Sequence, residues 1–446
     1  MAPSTARSRA APSVLIVGCG VAGLTLARFL SRSGVPCRVF EASSHGARAD
    51  RGLGLWGRSQ AALSELGLDP VLHRSHFIPA AAYRNREGTW LSRCSDNNPA
   101  NARRVCTLRE SALLAALAEG LPEGTIVPAA ELVGAQEHED RVALSFADGA
   151  TAEGSIVVGA DGVRSAVRRL LWPAAAAARD TGLVSWSGIL DRGDFTELAF
   201  ESLGGGRRFA CVPLGGGAAF WFATRRAVTA DCGAQALGEL RDAYAGWHDP
   251  VPRVLHAAAC AAAEAAMERG PAGLGSPGLG AALRAERILT APRAFSAGRA
   301  ALLGDAANAL PINLAQGAAA AIEGAFVLGS ALARHSAPFF HHERAFAEYR
   351  RVHEPRLRQC ELVTRFTEGL ASPASPALEA ARDSMRLVPR PLNGWVFDAA
   401  LEWSLGDRPG RTRALWPLET SWRGGGGASC GGDGVSGGGG GGGGGG

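Results

Sequence analysis

The run Gly18-Cys19-Gly20-Val21-Ala22-Gly23 constrains this chain more than any other stretch, because of what flanks it. Ser13–Val17 is apolar and β-branched, the pattern of a strand buried on both faces. Ala22–Ser33 places Leu24, Leu26, Ala27 and Leu30 at the spacing of a helix that packs on a sheet. In a βαβ unit of this kind Gly18 permits the tight turn, Gly20 lets a pyrophosphate approach the backbone, and Gly23 lets helix and strand pack closely. Val21 and Ala22 open the helix, whose unpaired amides and partial positive charge suit phosphates. Val39-Phe40-Glu41 ends a second strand with a carboxylate 18 residues beyond Gly23, placed to accept hydrogen bonds from an adenosine ribose. A merely structural glycine turn does not account for Glu41. The unit therefore reads as dinucleotide-binding.

The 446 residues, 46% of them hydrophobic, allow two or three domains with a large core. A net charge of +4 is too small to argue for nucleic acid. Every basic residue is Arg, which excludes a lysine Schiff base or a Walker lysine. Nine scattered cysteines without a Cys-x-x-Cys pair point to reduced thiols in an intracellular, cytoplasmic protein, not to zinc or disulfides. The acid-free, Ser/Arg-containing segment 1–12 leaves a short organellar address open. No histidine spacing supports a metal site, and there is no Gly-x-Ser-x-Gly elbow. No continuous apolar stretch approaches the roughly 20 residues of a membrane span.

Along the chain, a Gly-rich linker with Arg51, Gly52 and Gly54 leads into a helix at Ser59–Leu66, closed by Gly67. Thr107–Gly120 has helical spacing, and Val142–Phe146 and Ile156–Val158 read as strands flanking the Ala147-Asp148-Gly149 turn. From Trp172 to about Leu289 the character changes. Leu183–Leu190, Phe209–Pro213 and Ala219–Thr224 alternate between Gly clusters, which predicts an antiparallel sheet, followed by an Ala-rich helix at His256–Met267. Ala300–Gly304 returns to the buried-strand pattern, with helices at Gln316–Arg334 and Phe339–Glu368 beyond it. The sequence past Gly424 is nearly all Gly and Ser, a composition that cannot offset folding entropy by burial, and reads as a disordered tail.

Two later motifs join the first. Gly159-Ala160-Asp161-Gly162-Val163-Arg164-Ser165 and Leu302-Leu303-Gly304-Asp305-Ala306-Ala307-Asn308, continuing through Pro311 to Gln316-Gly317 and Ala321-Ile322-Glu323, follow strand patterns of their own. With the glycine unit, and with Thr107-Leu108-Arg109-Glu110-Ser111, they make residues 13–406 resemble the FAD-dependent class A aromatic-ring monooxygenases, the group of para-hydroxybenzoate hydroxylase, salicylate hydroxylase, kynurenine 3-monooxygenase and zeaxanthin epoxidase. The resemblance implies an α/β fold: a Rossmann-like FAD-binding domain with an inserted antiparallel β-sheet substrate domain and C-terminal helices. It divides the chain into residues 13–171 (FAD-binding, first part), 172–290 (substrate domain), 291–335 (FAD-binding, return), 336–420 (helical region) and 424–446 (tail).

The same resemblance implies that FAD is held by Gly18, Gly20, Val21, Ala22, Gly23, Glu41, Arg109, Leu132, Asp161, Asp305, Gly317 and Ala318. Asp305, after an apolar strand, sits where open α/β sheets bind ligands and can accept a ribityl hydroxyl. Gln316-Gly317 starts a helix whose amides can face the flavin pyrimidine and stabilise its reduced, anionic form. Arg109 donates charge-assisted hydrogen bonds to ribityl or phosphate oxygens, while Asp161 fixes a turn near the cofactor. NADPH or NADH acts as a transient co-substrate with O2, and a flavin C4a-hydroperoxide hydroxylates or epoxidises a small aromatic or unsaturated substrate. No catalytic side chain is nominated.

Three departures stand out from the family pattern: Asn308 in place of a usual His, Ala315 in place of a frequent Gly, and Gly324 in place of an acid. Asn308 can still hydrogen-bond, Ala315 adds a methyl near the flavin, and Gly324 costs about 0.5–1 kcal/mol of helix propensity. A flavin-dependent reductase or dehydrogenase on the same fold, or a non-catalytic FAD-binding protein, therefore stays open at this stage. Trp186, Phe209, Phe220, Trp221 and Phe222 divide between core and ligand, and the pairs Arg207/Arg208 and Arg225/Arg226 could meet a carboxylate substrate. The segment Arg390–Leu405, with Trp395 and Trp403, is expected to cap the pocket.

Overall fold

In a computed structural model of the chain, described for residues 13–44, 50–78, 82–94, 105–173, 178–193, 195, 198–226, 234–269, 284–291, 293–310, 315–336, 339–371, 373 and 375–405, the opening strand Val14–Val17 lies near the middle of a six-stranded sheet. Parallel neighbours Ile156–Gly159 and Cys37–Phe40 flank it, and Ala300–Leu302 pairs in parallel with Ile156–Gly159. Ile126–Val127 and the antiparallel Ser296–Ala297 complete the edges. All four residues of Val14–Val17 and of Ile156–Gly159 are buried, as continuous apolar runs in a parallel sheet should be. The three sequence motifs thus leave three adjacent strands at the same carboxyl edge.

One face of this sheet is covered by helices Val21–Arg32, Gln316–Arg334 and His342–Ala371, whose apolar residues form one core with Ile16, Val39 and Val158. The other face packs on a three-stranded antiparallel sheet, Leu132–Glu137, Val142–Phe146 and Thr151–Gly154. There Phe40 and Phe146 stack with ring centroids 4.7 Å apart. Gln316–Arg334 is long and apolar enough to cross a bilayer, but its residues are almost all buried inside the protein.

The second large sheet has seven strands, in the order Arg284–Thr290, Arg179–Leu190, Ala218–Arg226, Arg207–Gly215, Phe200–Gly204, Ala82–Asn85 and Trp90–Ser92. It is antiparallel except where Phe200–Gly204 meets Ala82–Asn85. The last two strands come from the stretch read as the first FAD-binding part. They are too short and polar to signal their partner in the sequence. Helices Ala234–Tyr244 and Val251–Arg269 cover one face, where Trp186, Phe209, Cys211, Trp221 and Tyr244 form a core of their own.

Several local readings are corrected. The stretch read as a linker is the strand Gly52–Trp56, paired antiparallel with Val105–Arg109. Its glycines are steric: a Cβ on Gly52 would lie 2.4 Å from Cβ of Phe220, and one on Gly54 would lie 3.0 Å from Cβ of Ala315. Thr107–Arg109 belongs to that strand pair, so the helix there spans only Glu110–Ala118. The Ala147-Asp148-Gly149 turn joins Val142–Phe146 to Thr151–Gly154, with Ile156–Gly159 following as a separate parallel strand. Pro311 and the Gly-rich tail lie outside the described residues.

Candidate active site

The glycine turn is closed by backbone contact. A Cβ on Gly23 would lie 2.0 Å from the Gly18 carbonyl oxygen, and one on Gly18, whose φ is +107°, would lie 2.4 Å from that of Ala160. Neither position has room for a side chain. The helix it opens starts with Gly20 at its N-cap, no side-chain cap and no acid in its first turn, so its terminal amides are left for an anion. Glu41, directly after the second strand, accepts from the Cys19 amide at 2.9 Å and from Ser43 at 3.1 Å, which sets its carboxylate beside the glycine turn.

A cavity of about 340 Å3 runs from this turn to the bare face of the seven-stranded sheet. Its cofactor end is lined by Gly20, Val21, Ala22, Ala160, Gly162, Gly304, Asp305, and Gln316 to Ala318. The second helix to open onto it, Gln316–Arg334, likewise has no side-chain cap and no first-turn acid. Two helix N-termini thus converge on one space with a carboxylate, Asp305, beside them. Burial pushes the Asp305 carboxyl above the usual carboxylate range, Glu110 and Glu286 push the same way, and Arg51 opposes them. Amides that donate to phosphates and carboxylates that accept from hydroxyls fit a flavin dinucleotide.

Six of the residues expected to hold FAD therefore line the cavity: Gly20, Val21, Ala22, Asp305, Gly317 and Ala318. Gly18 and Gly23 shape the turn behind it, and Glu41 stands at its start. Asp161 points elsewhere. Its Oδ2 accepts from the amides of Ala166 at 2.7 Å and Val167 at 3.1 Å, anchoring the start of the helix Ala166–Leu171, while its neighbours Ala160 and Gly162 face the cavity. Arg109 is not brought to the cavity lining; its guanidinium is engaged by Asp50 and Asp191. Leu132 is buried among Phe40, Phe146 and Leu144, in the core beneath the parallel sheet. In place of Arg109, the lining holds Arg51 and Glu110, joined in a two-pronged pair at 2.5 and 2.9 Å.

The start of the second helix is braced from behind. Arg356, on the helix His342–Ala371, donates to Gln316 Oε1 at 3.0 Å and to Glu323 Oε2 at 3.1 Å, and Arg58 approaches the same carboxylate at 3.4 Å. Burial alone would raise the Glu323 carboxyl, but the two guanidiniums outweigh it and hold the group below its ordinary value. Gly324 has a steric purpose here, since a Cβ would lie 2.7 Å from Nε2 of His353. Burial pushes the His353 imidazole down to about 4, so the ring is neutral at pH 7. Ala315 sits at the N-cap with φ +51°, a left-handed conformation that favours glycine. Asn308, expected to keep a hydrogen bond, leaves its Nδ2 buried without a partner among the described residues.

At the far end the sheet alternation divides the aromatics. Trp186, Phe209 and Trp221 face the helices, whereas Phe220 and Phe222 line the cavity with Val212, Ser185 and Ser187. The arginine pairs do not reach it. Arg208 is bound by Glu201 and Glu368, Arg225 by Glu239, and Arg207 by the Ala243 carbonyl. Among the described residues the helix Arg390–Leu405 contributes nothing to the lining, and Trp395 on it is exposed.

Comparison with known proteins agrees with this geometry. Residues 12–204 match the family model described as an FAD binding domain. Over 330 residues the chain is 32% identical to aurachin C monooxygenase/isomerase from Stigmatella aurantiaca, covering 72% of this chain and 80% of that protein. The chain belongs to the class A FAD-dependent monooxygenases. Another such relative, 2-heptyl-3-hydroxy-4(1H)-quinolone synthase from Pseudomonas aeruginosa, is 30% identical over 71% of this chain and 79% of its own. Klebsiella pneumoniae HpxO, solved with FAD and uric acid, shares the fold with a TM-score of 0.73 at 21% identity, covering 90% of this chain and 99% of that one. A salicylate hydroxylase substrate complex does so with a TM-score of 0.65 at 18% identity, covering 90% and 100%. This monooxygenase thus has FAD as its cofactor, with NAD(P)H as reductant and O2 as oxidant. Flavin supplies the redox chemistry, and the chain supplies the binding, the orientation and a largely apolar pocket for a small aromatic substrate.

Proposed function

We propose that the monooxygenase hydroxylates a mainly apolar aromatic heterocycle held between the flavin end of the cavity and the Phe220/Phe222 face of the seven-stranded sheet. The observation that carries this reading is the continuity of the lining. Val21, Asp305 and Gln316 at one end, and Val212, Phe220 and Phe222 at the other, bound a single space. The named chemistry of the relatives supports a ring substrate, as with the quinolone of one and the 3-amino-4-hydroxybenzoate of others. NADH or NADPH reduces the flavin transiently, with no second dinucleotide fold needed. Gly18, Gly23 and Glu41 hold the adenosine end, and Asp305 takes a ribityl hydroxyl. The Gln316 helix amides stabilise the reduced ring. The scattered cysteines, with no Cys-x-x-Cys pair, support a reducing compartment.

The test is to load the purified protein with FAD, add NADH or NADPH under air, and follow oxidation of the nucleotide with and without 2-heptyl-4(1H)-quinolone, indole and phenols. At least a tenfold stimulation by one neutral ring, with a product heavier by one oxygen, is expected. Oxidation indifferent to every ring would contradict a monooxygenase and favour a reductase on the same fold.

A further inference from the structure

Resting on that reading of the cavity, we propose that Glu201, held in place by Arg208, selects the substrate by accepting an N–H from a neutral ring and rejecting rings that carry a carboxylate. The registers of the seven-stranded sheet place Tyr83, Glu201, Ala210, Phe222 and Ser187 in one cross-strand row, and all five line the cavity. Within it Glu201 stands between Tyr83 and the small Ala210, with Phe222 on the next strand beyond Ala210. Glu201 is 9% exposed and Arg208 2%.

Arg208 does not join the lining. Its Nε donates to Glu201 Oε1 at 2.5 Å and its Nη1 to Glu368 at 3.1 Å, so one buried cation serves two carboxylates. A carboxylate offers about four lone-pair sites. The Arg208 bond to Oε1 fixes the orientation of Glu201 and leaves it acceptor capacity toward the cavity. The charges of the lining agree. Among the described lining residues Arg51 is the one cation, against Glu110, Glu201, Glu286 and Asp305; with Arg208 and Arg284, which pair with Glu201 and Glu286 from outside the lining, the formal sum is −1. An anionic ring meets repulsion in such a space, and a neutral ring with an N–H finds an acceptor. Truncating one partner of a buried charge pair strands the other, so Glu201 and Arg208 are a unit in which each requires the other.

The experiment uses FAD-loaded protein and reads dissociation constants from the perturbation of flavin absorbance. The ligands are 2-heptyl-4(1H)-quinolone, its N-methyl derivative and salicylate, with the wild type, E201Q and the E201L/R208M pair. The wild type is expected to bind the N–H quinolone at least tenfold more tightly than the N-methyl compound, and more tightly than salicylate. In E201L/R208M, which removes the buried pair and leaves the partly exposed Glu368 as the remaining carboxylate there, the preference is expected to fall below threefold while FAD loading stays intact. E201Q, which keeps an acceptor without the charge, is expected to retain part of the N–H preference and to gain salicylate binding. Equal binding of the two quinolones by wild type, a preference unchanged in the double variant, or salicylate bound best by the wild type would each overturn the proposal. Those results would leave ring-stimulated NAD(P)H oxidation standing. If no ring perturbs the flavin or stimulates oxidation, the proposal falls together with the reading on which it rests.

Discussion

The two ends of the cavity are specified at different levels of the chain. At the cofactor end, backbone meets backbone: Gly23 against the Gly18 carbonyl, Gly18 against Ala160, and two helix N-termini opening side by side. At the substrate end, the backbone is an ordinary antiparallel sheet, and selection falls to the side chains on its bare face. A steric rule of the first kind tolerates no substitution. A lining of the second kind can exchange residues and change substrate, which is how one fold serves many chemistries.

The largest effect is expected where the backbone decides. Gly18→Val places branched atoms where even a Cβ would be 2.4 Å from a carbonyl oxygen, at φ +107°. FAD content per purified chain should fall at least tenfold; near-normal loading would show that the turn has slack. Next is the brace behind the flavin helix. Glu323→Leu takes the buried carboxylate away from Arg356 and Arg58 and should cost about 3–5 kcal/mol in denaturant unfolding, far more than breaking an exposed pair such as Arg141–Glu153. His353 adds a pH dependence. With an unfolded value near 6.5 and a folded value of about 4, the protein holds the neutral ring. Its contribution is complete above pH 6.5 and lost as pH falls toward 4, up to about 3 kcal/mol. His353→Asn should flatten the stability profile in that window, and an unchanged slope would place the acid sensitivity elsewhere.

At the substrate end, Phe222→Ala should weaken ring binding about tenfold, roughly 1.4 kcal/mol, with FAD loading unchanged. A loss of FAD as well would erase the distinction between the two ends. The smallest expected effect is Ala315→Gly, which removes a left-handed alanine and should stabilise the fold by about 0.5–1 kcal/mol in the same unfolding assay.

How far each end can be read from the sequence follows the same division. Gly18, Gly20, Gly23, Glu41, Asp305 and Gln316 are legible because a tight turn or a strand end imposes its residue type locally. Phe220, Phe222, Trp186 and Trp221 are visible as an alternating series, but alternation does not give its phase. Helices Ala234–Tyr244 and Val251–Arg269 decide which face is core. Arg51 and Glu110 stand 59 positions apart, and Arg208 and Glu368 stand 160 apart, so their pairing is set by the fold rather than by spacing. Gly52 and Gly54 read as a linker because glycine is common in loops; only the approach of Phe220 and Ala315 explains them in a strand. Gly324 is legible as a departure, but its meaning waits for His353 from another helix.

The account depends on one space that lets flavin chemistry reach a ring on the Phe220/Phe222 face. The direct measurement is turnover of the FAD-loaded protein with NAD(P)H and a neutral aromatic heterocycle under 18O2. The account predicts a product carrying one labelled oxygen on the ring. Label recovered only in peroxide, with the ring unchanged across the panel, would contradict it.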